Sequence, residues 1–427
     1  MKIISQEAYI EELKDANTSM QFDRSLEETV IEMIHQVREK GDQALKAYTK
    51  QFDGIDLDHF VVTEEEFQEA EQNVSERFIV ALKTAKNNIE RFHQEQRERS
   101  WFITAPKGVL LGQKVTPIDR VGIYVPGGKA AYPSTLLMNA IPAKLAGVPH
   151  IVLTTPPQSD GKVNPHVLVA ARIAGIETIY KVGGAQAIAA LAYGTETIQK
   201  VNKIVGPGNA YVASAKKIVF GDVDIDMIAG PSEICVVADE TANVKYAAAD
   251  LLSQAEHDEQ AVAICITTSQ NFAEKLQIEV ERQTEISERK AIIKKSLKSN
   301  GRIVVAKGME QALELVNEIA PEHLQLMVAD PLAQLGNVRN AGAIFLGQYA
   351  PEALGDYVAG PNHTLPTSGT AVFSSPLGVY DFVKRSSVIQ YTKDALDDVA
   401  QDIITLANAE GLSAHAEAIM KRKEDET

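Results

Sequence analysis

Only two cysteines, Cys235 and Cys265, occur in 427 residues. They are too few for a disulfide framework and have no CxxC spacing, so oxidative staples and a thiolate zinc site are both excluded. Long apolar runs are missing as well. No stretch approaches the roughly 20 residues that span a bilayer. The opening Met1-Lys2-Ile3-Ile4-Ser5-Gln6-Glu7 turns polar and acidic at once, unlike a signal peptide, so no membrane partner is expected and the chain reads as cytoplasmic. Basic clusters are equally scarce: the longest is Lys421-Arg422-Lys423, in a chain of formal net charge −16. Such a surface repels phosphate backbones, which argues against a nucleic-acid partner. What is present, 45% hydrophobic and 23% charged residues, is the balance of a globular protein handling small molecules. The length implies two large units plus appendages.

Residues 1–100 read as mainly helical. Ser25 with Glu28, and Thr63 with Glu66, have capping-box spacing, and Val30, Ile31, Ile34 and Val37 share a helical face. Short strands are expected between 101 and 120. From 121 to 232 the pattern alternates: strands at 121–125, 151–154, 178–182 and 204–205 are separated by helices near 134–146, 165–174, 185–193 and up to 219. Strands at 234–237, 262–266, 303–305, 324–327 and 343–345, with helices over about 242–257, 270–299 and 309–318, repeat the style. Strands joined by helical crossovers form parallel sheets buried on both faces. The tail after 378 reads as helical, including 394–409, and is too small to bury its apolar face alone. The expected fold class is therefore α/β, with two Rossmann-like parallel-sheet domains and helical extensions at both ends.

Three glycine turns follow predicted strands: Pro126-Gly127-Gly128, Gly183-Gly184 and Gly206-Pro207-Gly208. At the carboxyl ends of parallel strands, such turns let a ligand approach the backbone and the amides opening the next helix. They are also what tight strand-to-helix turns look like. None is a GxGxxG, and the strand at 151–154 runs into Thr155-Pro156-Pro157 without the acidic ribose ligand of a dinucleotide fingerprint. Tyr124, Gln186 and Asn209 sit at or just past strand ends, placed either to reach a cofactor or to serve as caps and core hydrogen bonds.

Ionisable groups gather in the second half. Gln254 and His257 are three apart on a predicted helix, a spacing open to zinc ligation and equally to a solvated face. Glu322-His323 sets a carboxylate beside an imidazole, suited to general-base work and activation of water, or merely a surface dipeptide. Asp356 and His363 lie in a glycine- and proline-rich stretch read as a long loop, where an unstructured length of this kind is usually functional. In Glu410-Gly411-Leu412-Ser413-Ala414-His415 both ionisable groups flank a turn. Cys235, in an apolar strand, fits a buried core cysteine better than a nucleophile.

Taken together, Tyr-Val-Pro-Gly-Gly (124–128), Gly-Gly-Ala-Gln-Ala (183–187), Gly-Pro-Gly-Asn (206–209), Ala-Gly-Pro-Ser-Glu (229–233), Leu-Leu-Ser-Gln-Ala-Glu-His (251–257), Ala-Pro-Glu-His-Leu (320–324), Gly-Asp-Tyr (355–357), Gly-Pro-Asn-His (360–363) and Ala-Glu-Gly-Leu-Ser-Ala-His (409–415) closely resemble histidinol dehydrogenases. The matches keep one order along the chain.

The resemblance implies a zinc-dependent oxidation of L-histidinol to L-histidine through L-histidinal, with two NAD, as the last step of histidine biosynthesis. It implies zinc ligands Gln254, His257, Asp356 and His415, the last from the partner subunit of a homodimer with exchanged tails. Glu322 and His323 match the catalytic pair, and Tyr124, Gln186 and Asn209 the NAD contacts. Ser232, His363 and Glu410 match substrate contacts, alongside the zinc ligands and His323. The implied domains are an extension over 1–22, a discontinuous large α/β domain over 23–123 and 233–377, an inserted domain over 124–232, and a tail over 378–427. Two other readings stay open at this point: a zinc and NAD alcohol dehydrogenase of the same scaffold acting on another polar alcohol, such as a sulfonated diol, and a zinc hydrolase.

Overall fold

The computed structural model describes residues 1–18, 24–127 and 132–424. Gly128 of the first glycine turn and the boundary expected at 22/23 lie outside the described residues. The chain divides into two compact units, Met1–Gln96 with Ile118–Asp381, and Arg97–Pro117 with the chain from Phe382 on.

The first unit contains two wholly parallel sheets. The larger runs in the order β1 (Lys2–Ser5), β11 (Gly301–Val305), β10 (Val262–Thr267), β9 (Glu233–Ala238), β12 (His323–Met327) and β13 (Ala343–Leu346). The smaller runs β6 (Thr178–Tyr180), β5 (His150–Thr154), β4 (Arg120–Tyr124), β7 (Lys203–Val205) and β8 (Asp224–Ile225). Successive side chains of a strand point to opposite faces, and both faces here are apolar. Cys235, Val237, Ile264 and Ile266 pack in one layer of the larger sheet, Ile234, Val236, Ala263 and Cys265 in the other. Cys235 is a free, fully buried thiol pushed far up by that burial, so it is a core residue. Helices follow strands as expected, for example Pro133–Ala146, Pro165–Ala174 and Gly184–Tyr193.

The second unit has an antiparallel sheet in the order β14 (Val383–Gln390), β3 (Val109–Pro117) and β2 (Trp101–Ala105), followed by helices Lys393–Ala409 and Ser413–Glu424. Neither β1 nor β14 was placed from the sequence. The first has only Ile3 and Ile4 to signal it, and the second is mostly exposed, so no buried face imposes an alternation. The helix expected over 270–299 is two, Gln270–Ile286 and Lys290–Asn300, parted where Ser287 adopts an extended conformation. The Thr63–Glu66 capping box forms, with Thr63 Oγ1 accepting from the Glu66 N–H and the Thr63 N–H donating to Glu66 Oε2 at 2.8 Å. Ser25 lies inside the helix Arg24–Lys40 and is not its cap. No helix among the described residues is long and apolar enough to cross a membrane.

Candidate active site

The carboxyl ends of β4, β5, β6 and β7 open onto a cavity of about 880 Å³. Tyr124, Gln186 and Asn209 all line it. Tyr124 ends β4; its hydroxyl accepts from the Gly184 N–H at 3.1 Å, and burial pushes it up to about 12. Gln186, in the first turn of Gly184–Tyr193, is buried with Oε1 unpartnered among the described residues. Asn209 caps Ala210–Val219, its Oδ1 accepting from the Tyr211 and Val212 N–H groups at 3.1 Å each. Gly206 has φ +115°, and a Cβ there would lie 2.0 Å from the Tyr124 carbonyl oxygen, so only glycine allows this turn. A buried acceptor without a partner, helix amino termini and a backbone cradle fit a dinucleotide. The volume lies within the range of cofactor sites.

A second constellation forms beside the end of the larger sheet. His323 opens β12, and its Nδ1 lies 2.9 Å from the Glu233 carbonyl oxygen while its Nε2 is buried without a hydrogen-bond partner among the described residues, 3.9 Å from Asp356 Oδ1. The neighbouring Glu322 accepts the Glu233 N–H at 2.8 Å through Oε2. Ligand atoms of His257, Glu352 and Asp356 lie within 4.8 Å of one another. Gln254, fully buried at the end of the helix Val244–Ala255, orients its amide between two partners: its nitrogen donates to Glu352 Oε2 at 2.7 Å and its oxygen accepts from the Glu233 N–H at 3.0 Å. His363 Nδ1 meets the Asp356 carbonyl oxygen at 3.0 Å, and its Nε2 meets Thr135 Oγ1 at 3.2 Å. The adjacent Asn362 donates to the Met138 carbonyl at 2.6 Å, tying this segment to the helix after β4.

The charges are strongly coupled. Burial raises Glu322 and Glu352 above the usual carboxylate range. For His323, burial favours the neutral form, but Glu322, Asp356 and Glu352 outweigh it and hold the imidazolium above its ordinary value. Asp356 is lowered, because His323, His363 and His257 overcome its own desolvation. A buried excess of carboxylate beside an imidazole nitrogen is a nitrogen-and-oxygen donor set suited to a divalent cation such as zinc.

Most of the expected site residues thus fall into two groups in the first unit. Ser232, half-buried, immediately precedes β9. Glu410 and His415 belong to the second unit, where both are exposed: Glu410 caps the end of Lys393–Ala409, and His415 lies in the first turn of Ser413–Glu424. Asp356 is not in an unstructured loop, because Glu352–Tyr357 is a short helix. That helix brings in Glu352, a residue the sequence reading missed; its signal was the i, i+4 spacing to Asp356, visible only once the segment is known to be helical.

Residues 16–423 match the family model for histidinol dehydrogenase. The histidinol dehydrogenase of Oceanobacillus iheyensis is 57% identical over 413 residues, 97% of each chain. The chain belongs to the histidinol dehydrogenase family. The family's protein from Bacillus cereus is 57% identical over 404 residues, covering 95% of this chain and 94% of that one. The crystal structure of the histidinol dehydrogenase from Elizabethkingia anophelis matches with a TM-score of 0.91 at 40% identity, covering 95% of this chain and 94% of that one. The likeness to histidinol dehydrogenases therefore spans both parallel sheets and the second unit.

Proposed function

We propose that the chain oxidises L-histidinol to L-histidine in two successive steps, passing two hydrides to two NAD through enclosed L-histidinal. The observation that carries this reading is the tethering of His323. A divalent cation at the His257–Glu352–Asp356 set would offset the carboxylates that hold His323 as imidazolium; the neutral ring, its Nδ1–H donating to the Glu233 carbonyl, then presents the Nε2 lone pair toward that set. A base so oriented can take the proton of an alcohol held at that set.

Gln254, His257 and Asp356, with His415 of the partner subunit, are the proposed zinc ligands, and Glu352 fixes the direction in which the Gln254 amide faces. Zinc, when bound, supplies Lewis acidity and an anchor for the substrate's nitrogens. His323 accepts the hydroxyl proton as the carbinol hydride leaves to NAD. Glu322 directs a water onto the aldehyde, and His323 accepts a second proton as the hydrate's hydride leaves to a second NAD. Alcohol, one water and two NAD yield the carboxylate, two NADH and three protons. Ser232, His363 and Glu410 contact the substrate, while Tyr124, Gln186 and Asn209 hold the dinucleotide. Buried Glu322, His323 and Glu352 form an inner wall that shields the amino-aldehyde from bulk water on that side.

The homodimer with exchanged tails belongs to this reading. In the second unit Trp101, Phe102 and Ile103 are 52%, 51% and 57% exposed, and Ile389 and Leu406 are open as well. Apolar side chains in such number suit a subunit interface. The test is an NADH-coupled assay that counts NADH per histidinol before and after chelation. Two NADH per alcohol with zinc, and none after chelation, is expected; one NADH with released aldehyde overturns the two-step scheme.

A further inference from the structure

Asp53 follows the helix Asp42–Phe52, where its N–H donates to the Thr49 carbonyl at 2.9 Å. Its carboxylate lines the 880 Å³ cavity with Tyr124 and Gln186. Oδ2 is buried and has no hydrogen-bond partner among the described residues. Burial pushes the carboxyl up to about 6, leaving it mostly ionised at neutral pH. A half-buried carboxylate whose inner oxygen receives no donor from the described residues calls for an explanation, and a donor carried by a ligand is one. Two aromatic rings belong to the same wall, Phe52 at 55% and Tyr211 at 46% exposure, in reach of a flat base. No lysine or arginine among the described residues lines this cavity, and neither do Glu322, His323 or Asp356. The cavity therefore suits the half of a dinucleotide remote from the transferred hydride.

We propose that Asp53 selects NAD over NADP by accepting hydrogen bonds from the adenosine ribose hydroxyls and repelling a 2′-phosphate. The inference rests on the reading of this cavity as the NAD site. It places the acidic ribose ligand just past a helix that precedes the smaller sheet, whereas the familiar fingerprint carries it at the end of the second strand. A 2′-phosphate would bring about two negative charges beside the carboxylate, with no lysine or arginine among the described residues of the wall to receive them.

The test is calorimetric titration of the zinc-loaded protein with NAD, NADP and the NAD analogue carrying 2′-deoxyadenosine. The wild type should prefer NAD to NADP by about a hundredfold or more. Asp53→Asn, which keeps the side chain's size, should narrow that preference to about tenfold or less. Asp53→Ala should weaken NAD by about tenfold and bind the 2′-deoxy analogue as well as NAD, because the lost hydroxyl no longer has a partner. Unchanged nucleotide preference in both variants, with melting temperatures like the wild type's, overturns the role of Asp53 and leaves the NAD site standing. A wild type that binds neither nucleotide overturns both.

Discussion

Which oxidation slows should depend on which ionisable group is removed from the cluster. His323 has one nitrogen tied to Glu233 and the other buried and unpartnered among the described residues, so His323→Asn should depress turnover of both histidinol and histidinal by about 10²–10⁴-fold. Glu322 faces the same Glu233 backbone, and Glu322→Gln should cost as much with histidinal while leaving alcohol oxidation within about threefold. Single-turnover rates with each substrate separate the steps, and equal losses for Glu322→Gln would reject its role in activating water. A second residue-scale consequence concerns Asp250, buried in the helix Val244–Ala255 and pushed up to about 6 by that burial. In the unfolded chain an aspartate titrates near 3.9. Between those values the native state holds the extra proton, so Asp250 lowers stability as pH rises from about 4 to 6, by on the order of 3 kcal/mol above that window. Asp250→Asn should therefore melt higher than the wild type at pH 7.5, with the gap closing toward pH 4; a gap independent of pH would sink this account. Of these groups the sequence displayed Glu322-His323 openly, because the two are adjacent. It concealed Glu352 and Asp53, whose partners come from distant segments or from no protein group at all.

Among the elements, the turn between β7 and the helix Ala210–Val219 is held by a buried ion pair. Lys216 and Asp226 have side chains only 2% exposed, and they pair directly. Lys216 also donates to the Gly206 carbonyl at 2.9 Å, and Asp226 Oδ2 accepts the Gly206 N–H at 2.7 Å. The pair thus grips both backbone polar groups of the glycine that must keep φ +115°. Lys216→Met strands a buried carboxylate and should cost about 3–5 kcal/mol, read in denaturant titration. Lys216→Met with Asp226→Leu should recover much of that stability, since an apolar pair of similar volume avoids the desolvation. It should not recover NAD affinity, because nothing then holds the Gly206 N–H. Recovery of both would mean that the pair serves stability alone. This grip was illegible in the sequence: a lysine in an amphipathic helix and an aspartate ten residues on read as surface charges. The parallel sheets were legible because strands buried on both faces leave continuous apolar runs at 121–125, 234–237 and 262–266. Strand β14 left no such run, since its stability comes from backbone pairing with β3 and its side chains are largely exposed.

For the whole molecule the question is whose His415 serves which site. The second unit carries His415 and Glu410 exposed, while the remaining proposed ligands and the proposed catalytic pair lie in the first unit. A homodimer with exchanged tails makes a prediction that a chain complete in itself does not. In a dimer of one His323→Asn chain and one His415→Asn chain, an exchanged arrangement gathers both defects into one site and leaves the other intact. Random reassembly of equal amounts places half the dimers in this mixed class, each with one working site in two, so about a quarter of wild-type activity should return from two inactive parents. If His415 served its own chain, every site in the mixed dimer would carry one lesion and the mixture would stay inactive. The reassembled mixture should also hold about half the wild-type zinc, because in the mixed dimer only one site lacks His415, and in the two parent dimers both sites lack it or neither does. Restored activity without mixed dimers by native mass spectrometry would point to revertants, so the two readouts are taken on the same sample.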